Sequence, residues 1–515
     1  MSVHNASTIQ GRQTFLWQEF LFSLLPACLL YPLIYLSMRY LFRGSEMSPL
    51  QRIILGVFLV LSIPTLGYFL AKKISSLRKG ASANYIWISV LAVFAISLTP
   101  FRQLRSADGD GPHYLIAANQ LAKEGNLYSN PGYLSNSHYL FSIPGTDAWE
   151  LPDTRLAKDV YGKDRFWYSL GLVFFAAPFS LYLPSLFFFF AHSLFLFLGI
   201  FFICMMIKTS LWSSRQKFIC LAGLPIILYM AQPFPDSLAF TLVACSLFCV
   251  DNKKYVGIGL CCALLLWCKP PYIIIATFIL LQTLWNDRYH ITFPLFLRIV
   301  FLPISNFITI CFYNLYSWGH FSYSANYKAG LSSNLFNISS IPYEFPLFFI
   351  GLAGGIFWSW PFIIKSFSPI LFRSNRIIVL GSLFYIGVIC ATSFSEAGWC
   401  PAGRYFLPIL PIFAIAIINY SRPPGNFLLS IGGVFCFLEQ IAPQANLPWS
   451  NLNTPFSFLV KLQDNLPLPH IWNMAVHFLS TYSHQISYWC FLFFFILYPL
   501  RYECFFPLKA SSIKK

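Results

Sequence analysis

Apolar residues fill this chain in long runs, and polar residues gather in the short stretches between them. Runs near 15–42, 51–71, 84–100, 187–207, 218–233, 235–250, 255–268, 270–286, 291–317, 344–364, 376–394, 404–421, 425–441 and 487–501 predict fourteen helices. Crossing a hydrocarbon core about 30 Å thick takes ~20 helical residues, so these runs are candidate membrane spans. Several are short. The pairs 218–233/235–250 and 255–268/270–286 read as helical hairpins or partly re-entrant segments. The first run is too long for the apolar core of a cleaved signal peptide and reads as a retained span. Counting 166–186 as a crossing would invert everything downstream. Its mix of Trp167, Tyr168, Gly171, Pro178 and Tyr182 predicts instead a helix lying at the membrane interface. Phe187 to Phe190 read as lipid-facing bulk, Phe being cheap to place in hydrocarbon.

Composition sharpens this picture. The chain is 57% hydrophobic, 19% aromatic and only 10% charged, with a mean hydropathy of +0.62. Soluble domains carry about 25% charged residues, so the fold class expected is an all-α polytopic membrane protein. The net charge of +16 does not point to nucleic acid. Its cations sit in short clusters between apolar runs: Lys72, Lys73, Arg78 and Lys79; Lys208, Arg215 and Lys217; Lys253 and Lys254; Lys365, Arg373 and Arg376; Lys509, Lys514 and Lys515. Cytoplasmic loops carry such clusters under the positive-inside rule. The far side then holds 101–165, Gln232 to Asp236, 318–343, 395–403 and 442–486. The 43–50 loop runs against the rule, since it is external in this scheme yet flanked by Arg39, Arg43 and Arg52. Most cysteines lie within apolar runs and behave as small hydrophobes, so no disulfide framework is implied.

Candidate chemistry concentrates in one place. Eight of the eighteen acidic residues fall within 101–165, which opens on Ser106-Ala107-Asp108-Gly109-Asp110-Gly111-Pro112-His113-Tyr114. The glycines allow turns that bring Asp108 and Asp110 toward one site. Two nearby carboxylates can divide labour, one accepting a proton from a nucleophile and the other orienting an acceptor or a cation. Residues Tyr114 to Leu121 read as an amphipathic helix, so the pair stands at a helix entrance. Read alone, the same residues could be a helix cap and a solvated loop carboxylate. Asp108, Asp110 and His113 are also the one set here that could hold a divalent cation such as Mg or Mn, although Asp-x-Asp-x-x-His is too common a pattern to establish a metal site.

The Asp-rich stretch just after a span, followed by Pro-His-Tyr-Leu and a helix, resembles the first external loop of GT-C class membrane glycosyltransferases. It is similar to that of bacterial relatives of protein O-mannosyltransferases and lipid A aminoarabinose transferases. Asp110 stands where the family has its catalytic Asp, and His113-Tyr114 match its His-aromatic pair; Gly111 departs from the usual Glu. Tyr229-Met230-Ala231-Gln232-Pro233-Phe234-Pro235-Asp236 resembles a short external turn ending in an acidic residue. Leu265-Leu266-Trp267-Cys268-Lys269-Pro270-Pro271-Tyr272 resembles a Leu-x-x-Lys-Pro turn, and Gly398-Trp399-Cys400-Pro401-Ala402-Gly403-Arg404-Tyr405-Phe406-Leu407-Pro408 a late Arg-Tyr-Leu-Pro segment. The match runs from about residue 100 to 420, in order.

The resemblance implies a GT-C-like fold of about 14 transmembrane helices (range 11–14), with interfacial helices in a large first external loop. It divides the chain into N-terminal helices (1–83), a core (84–420) and C-terminal helices (421–515). It implies transfer of a sugar, with inversion, from a polyprenyl-phosphate donor to a lipid, protein or glycan acceptor. The site would face outward from a multi-pass protein of the bacterial inner membrane. Asp110 and Asp108 would be catalytic. Arg404 and Lys269 would hold the donor phosphate, because a buried guanidinium or ammonium stabilises charge on a leaving phosphate. His113, Tyr114, Asp236, Glu396, Trp399 and Tyr405 would line the acceptor side. Without the resemblance, Arg404 and Lys269 read as snorkelling residues, Asp236 as a helix cap, Glu396 as a partner of Arg404, and the aromatics as an interfacial belt. Two other classes stay open: a secondary transporter or lipid flippase, and an inactive membrane scaffold of the same fold.

Overall fold

The computed structural model describes residues 3–41, 49–77, 85–102, 111–127, 156–180, 184–207, 211–330, 337–350, 355–367, 376–392, 404–421 and 423–441. These are mostly helical. In chain order the helices are α1 (Val3–Leu41), α2 (Pro49–Leu77), α3 (Tyr85–Ala92), a π turn (Val93–Ser97), α4 (Thr99–Arg102) and α5 (Gly111–Glu124). A two-stranded hairpin follows, β1 (Leu156–Lys158) and β2 (Asp164–Phe166). Then come α6 (Gly171–Ser180), α7 (Pro184–Met206), α8 (Ser214–Ala222), α9 (Pro235–Asp251), α10 (Tyr255–Cys268), α11 (Tyr272–Asn286), α12 (Phe293–Trp318), α13 (Ala325–Gly330), α14 (Ile341–Ile350), α15 (Ile356–Ser359), α16 (Arg376–Cys390), α17 (Leu410–Tyr420) and α18 (Asn426–Ile441).

Among the described residues four helices are long and apolar enough to cross a membrane: Trp17–Met38, Ile54–Ser76, Phe188–Met206 and Phe293–Trp318. This architecture is compatible with an all-α membrane protein. The remaining apolar helices are shorter. At 1.5 Å per residue, α10 and α11 reach only about 21–23 Å each. They are cut apart by Lys269-Pro270-Pro271, where neither proline can donate a helical hydrogen bond. Within the predicted 344–364 run the described residues form α14, α15 and a 3-10 helix that opens on a proline, Pro361–Phe367. The 487–501 run and the 442–486 loop lie outside the described residues.

α9 forms the centre. It packs on α7, α10, α11 and α17, and almost every side chain from Pro235 to Leu247 is buried. Close approach is made possible by glycine. A Cβ on Gly199 of α7 would stand 3.0 Å from the Thr241 Cα of α9, and one on Gly259 of α10 would stand 2.8 Å from the Ile299 carbonyl of α12. Small residues at crossings let helix backbones meet in this manner.

The bounds of the helix expected over 166–186 are corrected. Residues 164–166 are a strand, and the helix is only Gly171–Ser180, with α7 beginning at Pro184. α6 buries one face and exposes the other, with Phe174 and Pro178 exposed. Leu172, Val173 and Ala176 are fully buried, and a Cβ on Gly171 would meet the Trp267 carbonyl at 2.9 Å. Trp167 and Tyr168 stack on each other in the core, ring centroids 4.2 Å apart. Phe188 and Phe189 are likewise buried against the bundle rather than turned toward lipid. Hydrophobicity does not distinguish a lipid-facing ring from a protein-facing one, because both surroundings are apolar. The described cysteines are free thiols.

Candidate functional site

The site begins at the turn before α9. Pro235 fits the first helical position, where no N–H is needed, and places Asp236 in the first turn, where the helix dipole favours a carboxylate. The turn is held from α7. His192 Nδ1–H donates to the Met230 carbonyl at 3.2 Å, and Nε2 lies 3.1 Å from Ser237 Oγ. Ser237 Oγ–H in turn donates to the Phe234 carbonyl at 2.6 Å. These contacts bracket the turn on both sides of Asp236.

Asp236 is fully buried, and its carboxylate gathers three donors from two other parts of the chain. Lys269 Nζ donates to both oxygens, at 3.1 and 2.8 Å. Arg404 Nε donates to Oδ2 at 3.0 Å. The Tyr272 hydroxyl donates to Oδ1. Lys269 occupies the break between α10 and α11 with extended backbone angles, and the following prolines start α11 so that Tyr272 stands three residues on, on the same side. Arg404 opens a 3-10 turn (Arg404–Phe406) ahead of α17.

Aromatic rings enclose both cations. The Arg404 guanidinium lies 4.1 Å from the Phe234 ring centroid, and Lys269 Nζ lies 5.0 Å from that of Tyr405. Tyr405 is fixed by its carbonyl, which accepts from the Tyr385 hydroxyl at 3.0 Å. Its ring is a partner of both cations. Burying these ions costs several kcal/mol each, and their mutual hydrogen bonds and the ring faces offset that cost.

Of the residues singled out in the sequence, the structure brings together Asp236, Lys269, Arg404 and Tyr405. Tyr114 is buried in a cluster with Phe166 and Tyr168, centroids 5.5 and 5.4 Å away, and His113 is buried on the same helix. That helix is tied to the site at its first residue. A Cβ on Gly111 would lie 3.3 Å from both the Cδ and the carbonyl of Pro233. The lack of a side chain at Gly111 lets α5 seat against the Asp236 turn. Asp108, Asp110, Glu396 and Trp399 lie outside the described residues. Among the described residues no group of three or more His, Cys, Asp or Glu side chains is placed to hold a metal ion.

Tyr272, Phe234 and His192 are the site residues that sequence reasoning missed. Tyr272 had a signal, since it follows Lys269 by three positions at a helix start. His192 had none beyond being a polar ring in an apolar run. Comparison with family models, curated proteins and solved structures finds no match to this chain.

Proposed function

We propose that this chain is a membrane glycosyltransferase that moves a sugar from a polyprenyl-phosphate donor to an acceptor at the extracytoplasmic membrane face, with inversion. The observation that carries this reading is the convergence of Lys269 and Arg404, buried, on Asp236. Among the described residues two cations face one carboxylate. Lys269, Arg404 and Tyr272 all donate to Asp236, and an ammonium beside a guanidinium is the kind of pair that suits the non-bridging oxygens of a donor phosphate.

In the proposed step the acceptor oxygen or nitrogen attacks the anomeric carbon as the bond from that carbon to the phosphate oxygen breaks. The phosphate leaves with both bonding electrons, and Lys269 and Arg404 stabilise the charge it gains. Asp110 takes the acceptor proton. Asp110 directly precedes Gly111 in the chain, and the contact of Gly111 with Pro233 supports assigning it to the same pocket. The clusters at Lys253-Lys254 and at Arg288 support a cytoplasmic end opposite Asp236.

The test is transfer from a lipid-linked sugar donor in membranes. Arg404→Ala is expected to lower the rate about 10²–10³-fold, the usual effect of losing one oxyanion donor, and Asp110→Asn to abolish it. Unchanged transfer in both variants overturns the assignment. A buried Asp between two cations beside interrupted helices is also what a transporter core uses. Solute flux in proteoliposomes, lost in Asp236→Asn, would select that reading.

A further inference from the structure

The β1–β2 hairpin stands against the end of α12, and the residues at its tip are out of character for a turn. Asp159 and Gly162 are ordinary turn residues, but Val160 and Tyr161 between them are 50% and 57% exposed, where turns favour small or polar side chains. The turn is firmly held. Asp159 Oδ1 accepts from the N–H groups of Tyr161 and Lys163 at 2.9 and 3.0 Å. Its Oδ2 lies 3.4 Å from Arg165 Nε, and both side chains are buried. Two bonds then fasten the hairpin to α12. The Val160 N–H donates to the Ser317 carbonyl at 3.1 Å, and Arg165 Nη1 donates to the Ser317 hydroxyl at 2.6 Å. A buried ion pair and its hydrogen bonds thus hold two apolar side chains out of the fold.

These side chains join a larger exposed patch. The Tyr161 ring lies against Tyr316 of α12, centroids 5.8 Å apart. One turn back on α12, Phe312 meets Phe321 edge-on at 5.2 Å. Tyr316, Phe312 and Phe321 are each more than half exposed. The patch continues along α12 through Ile308, Ile304 and Phe301, also exposed, at steps of three or four residues that mark one helix face. That face begins just past Arg298, which is exposed as well. Counted from Arg298, Tyr316 stands about 27 Å along the helix, close to the thickness of a hydrocarbon layer of about 30 Å. The turn therefore falls where acyl chains give way to headgroups, the level that tyrosine favours.

We propose that the Val160-Tyr161 turn is a membrane anchor that inserts into the headgroup boundary of the bilayer beside the C-terminal end of α12. Continuity with the outward face of α12 selects lipid over a partner protein, because the same apolar stripe runs the depth of a bilayer without a break. Tyr161 and Val160 supply the apolar surface, and the Asp159–Arg165 pair supplies the stiffness that keeps it presented. The inference rests on α12 crossing the membrane and is independent of sugar transfer, which its test does not measure.

The full-length protein is reconstituted in phosphatidylcholine vesicles whose acyl chains carry bromine either close to the glycerol or near the chain ends, with iodide as the aqueous quencher. Tyr161→Trp places an indole at the tip and keeps an aromatic ring there. Phe321→Trp does the same on the neighbouring side of the patch and carries the test if the first variant does not fold. Emission of the unsubstituted protein, which has 14 tryptophans, is subtracted. The added indole is expected to lose most of its emission to bromine close to the glycerol, less to bromine near the chain ends, and little to iodide. Loss to iodide without loss to bromine puts the turn in water. Protection from both quenchers puts it under protein, a second copy included. Equal or greater loss to the deep bromine puts it in the middle of the layer. Each of these three results overturns the proposal.

Discussion

At the scale of single residues, Asp236 decides how the buried ions behave. Removing one member of such a group leaves the others charged and unopposed, which costs about 3–5 kcal/mol, whereas replacing all of them with apolar residues of similar size is often neutral. Asp236→Ala is therefore expected to be less stable than the triple variant Asp236→Leu, Lys269→Met, Arg404→Met. Thermal unfolding in detergent compares the two, and the reverse order would mean that the ions hold the bundle together. The three charges were legible in the sequence because a charge inside an apolar run is expensive and so stands out. Their mutual pairing was not legible. Asp236 was read as lining the acceptor side and the cations as phosphate ligands, and only the fold shows that the carboxylate bridges the cations. Tyr272 is one of 28 tyrosines, and nothing local marks it as the one bonded to Asp236.

At the scale of elements, glycines set how closely helices can pass. Gly259→Val forces a side chain against the Ile299 carbonyl and is expected to cost about 1–3 kcal/mol, the usual penalty for overpacking. Gly387 of α16 has no atom within 4 Å of its Cβ position. Gly387→Ala is expected to stabilise by about 0.5–1 kcal/mol through helix propensity. Unfolding midpoints of the two variants should move in opposite directions. Helix ends were well read where proline or charge marks them, as for α10, α11, α12 and α18. The reading failed where apolar sequence continues through a change of structure. Residues 166–186 hold strand, loop and helix without any loss of hydrophobicity, because in the core of such a protein all three are equally apolar.

At the scale of the whole molecule, the basic clusters divide the chain into two ends. Lys253 lies in the α9–α10 turn, and exposed His320 follows α12. Placed in a cell membrane, Lys253→Cys is expected to react with a membrane-impermeant maleimide only after the cytoplasmic face is opened, and His320→Cys from outside. Labelling of both from one side would overturn the assigned orientation. The all-α architecture was legible from hydropathy alone. The number of crossings was less so, since helices of fourteen or fifteen residues such as α10 and α11 are shorter than the ~20 residues a crossing takes.

α9 has no glycine, and its single proline stands at the first position, so the rod between Asp236 and Asp251 offers no place to bend. Those two carboxylates stand about 22 Å apart along its axis. Each degree of tilt about the middle shifts both ends by about 0.2 Å in opposite directions. Anything that wedges the lower tips of the neighbouring helices apart will swing the upper carboxylate with them, on the scale by which a hydrogen bond is made or lost.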